Sequence, residues 1–150
     1  MPVKIVSGDP LLTDADILAF GHNARGRTEM GDLETALMRA YPAAFSTYRR
    51  RARQNKQKAG TFWYWTESRP KLLFLTVRDS SVGATRLRYV QSVLLTIARD
   101  YALYGWQNMA LVLPGNQYER GEILQLCETW LAPSTLPIVL YESYVPGLKA

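Results

Sequence analysis

The sequence predicts an α/β fold, a three-layer sandwich of helices around a mostly parallel or mixed six-stranded sheet, on three observations. Short apolar runs alternate with amphipathic segments along the whole chain. Runs such as Leu72–Leu75 are continuously apolar, which suits strands covered on both faces. Polar loops that each carry a glycine (Gly8, Gly26, Gly83 and Gly115) follow the runs ending near Val6, Phe20, Val77 and Leu113.

The elements follow in order. Val3–Ser7 reads as a short strand entering the Gly8-Asp9-Pro10 turn. Asp16–Gly21 is a second apolar run, too short for a helix and stopped by Gly21. Leu33, Ala36, Leu37 and Ala40 keep helical spacing until Pro42, which suits the first turn of a following helix anchored by Phe45 and Tyr48. Gly60-Thr61 starts an aromatic strand, and alternation puts Phe62 and Tyr64 on one face and Trp63 and Trp65 on the other. Pro70 separates it from the strand Lys71–Val77. Thr85–Tyr104 reads as the clearest helix, with one stripe through Leu87, Val90, Val93, Leu94, Ile97, Ala98 and Tyr101, stopped by Gly105. A strand Met109–Leu113, a helix Glu119–Leu131 and a strand Ile138–Tyr141 complete the pattern.

The 150 residues suit one domain spanning 1–150, long enough to bury a core without disulfides or metals. A hydrophobic share of 47% and a charged share of 21% are those of a soluble globular protein. Cys127 is the single cysteine, so an intrachain disulfide and a two-cysteine metal or redox site are excluded. It lies in a helical pattern and reads as a small core residue. The opening MPVKIVSG lacks the apolar stretch of a signal peptide and no run is long enough to span a membrane, so the expected location is the cytoplasm.

The net charge of +5 is concentrated in one stretch containing Arg49, Arg50, Arg51, Arg53, Lys56 and Lys58. Such a cluster has two readings. It is a solvated helix end whose cations complement the negative end of the helix dipole. Or it attracts phosphates, with Arg49, Arg50, Arg53 and Lys56 holding nucleic acid beside the Phe62–Trp65 aromatics.

In sheets of this kind the ligand crevice lies beyond the carboxyl ends of the strands, where loops and helix N-termini present backbone N–H groups to phosphates. The Ile17–Tyr48 stretch has that form: an apolar run, a polar glycine-bearing loop, then an amphipathic helix. His22, the single histidine, sits at that run's end, either packed into the sheet or available as a proton carrier. One His, one Cys and no tight carboxylate cluster give no metal site and imply no cofactor. The chain also lacks a P-loop, a G-x-G-x-x-G fingerprint and a G-x-S-x-G elbow.

The residues Gly8-Asp9, Ile17–Phe20, Asn23, Gly26, Met30-Gly31, Ala36–Tyr41, Pro42 and Phe45–Tyr48 stand in the order of the macrodomain family, which binds ADP-ribose. Gly60-Thr61, Leu72–Val77, Arg86-Leu87, Met109–Pro114 and Val139-Leu140-Tyr141-Glu142 continue the resemblance over nearly the whole chain. Thr85-Arg86-Leu87 is similar to the DarG-type macrodomains, which remove ADP-ribose from DNA bases. The resemblance implies that Asp9 accepts from the adenine amine, Asn23 contacts the distal ribose and Tyr141 lies beside adenine. It also implies that Gly26, Arg27, Met30 and Gly31 border the diphosphate, with Gly115 and Asn116 in a second phosphate loop.

Two departures bear on activity. The lysine that follows Met-Gly in DarG-like enzymes and serves catalysis is Asp32 here, and a carboxylate cannot stabilise developing negative charge. The glycine-rich second loop is Pro114-Gly115-Asn116-Gln117-Tyr118-Glu119-Arg120-Gly121, with bulkier residues in place of paired glycines. The expectation is therefore binding of ADP-ribose or a related nucleotide, with hydrolase activity altered or lost. One alternative is hydrolysis of ADP-ribosylated DNA or protein through Asn23, with His22 or Asp32 in the proton role. Another is a basic nucleic-acid-binding module.

Overall fold

A computed structural model describes residues 3–115 and 118–150. Its strands are β1 (Val3–Gly8), β2 (Ile17–Asn23), β3 (Phe62–Trp65), β4 (Lys71–Arg78), β5 (Met109–Val112) and β6 (Ile138–Tyr144). Its helices are α1 (Asp32–Ala40), α2 (Pro42–Arg53), α3 (Leu87–Asp100) and α4 (Arg120–Leu131), and a single 3₁₀ turn covers Pro10–Leu12. The strands form one sheet in the order β1-β6-β5-β2-β4-β3. All pairs are parallel except β3 with β4, so the sheet is mixed, as expected.

Side-chain alternation sends each strand's residues to two cores. Ile17, Ala19, Leu73, Leu75, Met109 and Leu111 pack with Val90, Leu94 and Ile97 of α3 and Ile123, Cys127 and Leu131 of α4. Leu18, Phe20, Leu72 and Phe74 pack on the opposite face with Leu33 and Leu37 of α1 and Ala44 and Tyr48 of α2. Two helices on each face of the sheet give the three layers. Cys127 is fully buried, and burial pushes its thiol up to about 12, so it behaves as a small apolar residue.

Several element boundaries differ from the sequence expectation. Helix α3 begins at Leu87 rather than Thr85, because Thr85 and Arg86 are tied back to β4. Arg78 Nη1 donates to Thr85 Oγ1 at 2.9 Å, and Arg86 N donates to Val77 O at 3.0 Å. The same helix ends at Asp100, and the chain turns through 101–105 to Gly105 at φ 74°. Strand β6 runs three residues past Tyr141, because β1 continues beside it: after a bulge between Val6 and Ser7, Ser7 faces Ser143 and Gly8 faces Tyr144.

Both faces of β3 are packed. Phe62 and Tyr64 lie on the α3/α4 side against Trp106, at 5.8 and 5.2 Å between ring centroids. Trp63 and Trp65 lie on the α1/α2 side, Trp63 against Phe74 at 5.3 Å.

Candidate functional site at the carboxyl rim

The parallel strands end together at one edge, and the 24–30 loop after β2 dominates it. Asn23 closes this loop with its side chain. Its Nδ2 donates to Arg27 O at 3.0 Å, and its Oδ1 accepts from Arg27 N at 3.1 Å. The Asn23 carbonyl accepts from the buried Tyr48 hydroxyl at 2.9 Å, and that hydroxyl also meets Thr76 Oγ1 at 2.9 Å. Burial pushes the Tyr48 hydroxyl up to about 12, so it stays a neutral donor. Asn23 is fully buried and both ends of its amide serve the loop.

Gly26 presses the same loop onto α2. Its φ is 66°, and a Cβ there would stand 2.9 Å from Ala52 Cβ and 3.0 Å from Arg49 Cα. The glycine therefore serves helix contact, facing α2 rather than presenting an open backbone to the rim.

His22 lies beneath the loop, 3% exposed, stacked on Tyr48 at 4.6 Å and 11°. Burial holds its imidazole below the usual histidine value. Its Nδ1 is 3.3 Å from Asn23 Nδ2, which can only donate, so the neutral ring accepts there and carries its proton on Nε2. A protonated ring would instead direct Nδ1 at Glu29 Oε1, 3.7 Å away. Glu29 is itself held by Arg78, whose Nε donates to Oε1 at 3.1 Å while Nη2 bonds the same oxygen. Burial raises the Glu29 carboxyl, but His22 and Arg78 together bring it below the usual carboxylate value.

A cavity of about 260 Å³ opens between Met30, Leu33 and Leu37 on one side and Val112–Gly115 on the other. Among the described residues, three carboxylates, Glu29, Glu34 and Glu119, line it, and Arg78 is the one cation that does. Met30 is 93% exposed at the lip. Gly31 caps α1 at φ 138°, where a side chain would run into the Glu34 carboxylate. Asp32 is the exposed first residue of that helix, where its charge complements the positive end of the helix dipole. Gly115, at φ 99°, allows the close approach of Glu119 and Ile123. Asn116 lies outside the described residues.

The adenine-side candidates separate. Asp9 is buried at the end of β1, one oxygen accepting from Leu11 N at 3.0 Å and the other from Gly147 N at 2.9 Å. Residues 145–148 cross this point, with Asp9 N donating to Leu148 O at 2.7 Å and Val145 N to Gly8 O at 2.9 Å. Tyr141 is 4% exposed and packs in the α1/α2 core, with no ring face at the rim. Tyr144 stands at the rim instead, half-buried opposite Gly8. Partial burial and the carboxylates of Asp9, Asp32 and Glu34 raise its phenol above the ordinary value. Reading β6 as ending at Tyr141 hid this residue, because the strand reaches it through a register shift after Tyr141 that breaks the alternation.

No protein-family model and no curated protein sequence matches the chain. Solved structures do. The macrodomain of Thermus aquaticus DarG superposes with a TM-score of 0.83 at 18% identity, over 93% of this chain and 97% of that one. The macrodomain of Mycobacterium tuberculosis DarG gives 0.82 at 18% identity, over 97% and 98%. Thermosipho africanus DarTG, solved in complex with ADP-ribose, gives 0.85 at 15% identity, over 99% of this chain and 43% of that one.

The chain has the macrodomain fold.

On this macrodomain fold, the positive charge lies on the far side of the 24–28 loop from the acidic cavity. A groove of about 770 Å³ there is bordered by Arg25, Arg27, Thr28, Arg49 and Arg53. Arg25 and Arg27 come from the loop, while Arg49 and Arg53 come from one face of α2, four residues apart. Arg50 and Lys56, grouped with them in the sequence, are exposed but do not border the groove. Arg51 turns the other way and lies over the Trp63 ring at 5.4 Å. Among the described residues, no three His, Cys, Asp or Glu side chains converge as a metal site, and no helix is long and apolar enough to cross a membrane.

Proposed function

We propose that this protein binds ADP-ribose or a related nucleotide along the carboxyl rim of its sheet, with hydrolysis of ADP-ribosyl linkages altered or lost. The observation that carries the reading is the rim cavity between the Met30–Leu37 side and the Val112–Gly115 turn, at the strand ends where α/β sheets take nucleotides. The superposable DarTG structure in complex with ADP-ribose supports the same ligand class.

Individual groups suit parts of such a ligand. Each Asp9 oxygen accepts one N–H and retains a second lone pair for an exocyclic amine. Tyr144, beside Asp9, offers an aromatic face to a base. Arg78 is the cation suited to a diphosphate, once it exchanges Glu29 for phosphate oxygens.

The same geometry supports altered hydrolysis. Asn23 is committed to the loop, and His22 is buried, neutral and capped by Asn23. Asp32 is exposed at the first position of α1 and does not line the cavity. The carboxylates of Glu29, Glu34 and Glu119 oppose a second anion in the cavity.

Calorimetric titration with ADP-ribose tests the binding. Wild type should give saturable heat that Asp9→Asn and Tyr144→Ala each weaken, and absence of heat at millimolar ligand overturns the reading. Incubation with ADP-ribosylated DNA and ADP-ribosylated protein tests the activity. Unchanged substrates are expected, whereas rapid release of ADP-ribose removes the claim of altered hydrolysis.

A further inference from the structure

We infer that the arginine groove behind the 24–28 loop is a second binding site, one that holds the phosphodiester backbone of a single-stranded nucleic acid. It does not rest on the rim reading, since neither Asp9 nor Tyr144 borders it.

Three observations converge on this groove. The first is its charge: Arg25, Arg27, Arg49 and Arg53 border it, and among the described residues no acidic side chain does. The second is that this charge is unspent. Among the described residues, none of the four arginines takes part in an ion pair, and only Arg49 makes a side-chain hydrogen bond, to Thr28 Oγ1 at 3.3 Å. Elsewhere the exposed arginines Arg86 and Arg99 do meet carboxylates. The third is construction. Gly26 packs against Arg49 Cα and Ala52 Cβ, which brings Arg25 and Arg27 alongside the two α2 arginines. A side chain at position 26 would hold the two rows apart.

Four guanidiniums around a concave slot, with no carboxylate to satisfy them, call for several phosphates in series rather than one. A single strand is flexible enough to lay its backbone into such a slot and to turn its bases outward. A duplex follows a concave slot only by bending, at a deformation cost that a flexible single strand avoids.

Fluorescence anisotropy with a labelled twelve-residue oligothymidylate tests the inference. Neutralising about four phosphates gives a slope near −2.8 in log K against log salt, from about 0.7 per phosphate on a single strand. Arg25→Gln, Arg27→Gln and Arg53→Gln should each weaken binding several-fold and flatten the slope by about 0.7. Among the described residues these side chains make no hydrogen bond or ion pair, so the variants should keep the wild-type melting temperature. Arg50→Gln and Lys56→Gln remove equal charge outside the groove and should change affinity less than two-fold, and Tyr144→Ala should leave it unchanged. Equal losses from groove and control variants would reduce the effect to net charge and overturn the site. So would absence of binding at low salt. Tighter binding of a matched duplex or of inorganic polyphosphate would overturn the assignment to a single strand.

Discussion

Glu29 and Arg78 are bonded directly to each other in the lining of the rim cavity, the guanidinium directing both Nε and Nη2 at a single carboxylate oxygen. The pair is nearly buried, with side chains 11% and 14% exposed, so little solvent screens it. It keeps the one cavity-lining cation occupied by the protein itself. A diphosphate entering the cavity competes with Glu29 for that cation.

Replacing Glu29 by Gln should therefore tighten ADP-ribose binding. The amide oxygen still accepts from Arg78 but carries no charge, which frees the guanidinium for phosphate. A gain of about tenfold, equivalent to about 1.4 kcal/mol, is expected in calorimetric titration. Unchanged or weaker binding would show that the ligand's phosphates lie elsewhere.

Stability should fall with acid in a window set by His22. Its folded value lies below the ordinary histidine value of 6.5 because burial penalises the cation. The unfolded chain thus takes up the proton first as pH falls through about 6.5, and stability is lost from there down to the depressed folded value. Glu29 acts lower. Its folded value lies below 4.5, so its contribution is lost only as pH falls past that point. Urea denaturation at pH 7.5, 6.5 and 5.5 should show the first loss. His22→Gln should flatten it, because this is the chain's single histidine. An identical slope in the variant would place the proton uptake elsewhere.

Tyr48→Phe should destabilise the fold by about 1–3 kcal/mol, the cost of leaving buried polar groups unsatisfied. The phenol supplies Asn23 O and meets Thr76 Oγ1, neither exposed to water. Urea midpoints measure the loss. Amide exchange should also quicken in the 24–28 loop, because Asn23 is the residue that closes it. A midpoint matching wild type would mean that solvent reaches Asn23 O.

Tyr141 and Tyr144 should separate folding from binding. Tyr141→Ala removes a fully packed ring and should cost about 3–5 kcal/mol of stability. Tyr144→Ala should leave the melting temperature within a few degrees and weaken ADP-ribose binding about tenfold. The reverse pattern would return the base-stacking role to Tyr141.

Element types and their order were legible because apolar periodicity reports burial directly. Continuous runs became central strands, striped segments became helices, and the β3 alternation sent its aromatics to two faces. Element ends were less legible where distant partners decide them. Thr85 leaves the helix because Arg78 holds its hydroxyl, and β6 extends because β1 runs beside it. Of the rim residues, Asp9, Met30 and Gly115 stand where the strand ends predict, but Tyr141 and Gly26 face inward for reasons of packing.

The sequence by itself determined the layering, since which residues prefer water is a local property of each side chain. Only the tertiary structure decided where charge gathers. Glu29 and Arg78 lie 49 positions apart, and Arg25 and Arg53 border one groove where a loop folds against a helix. Coulombic interactions depend on distance through space and on the burial around each pair, and neither is written in the order of residues.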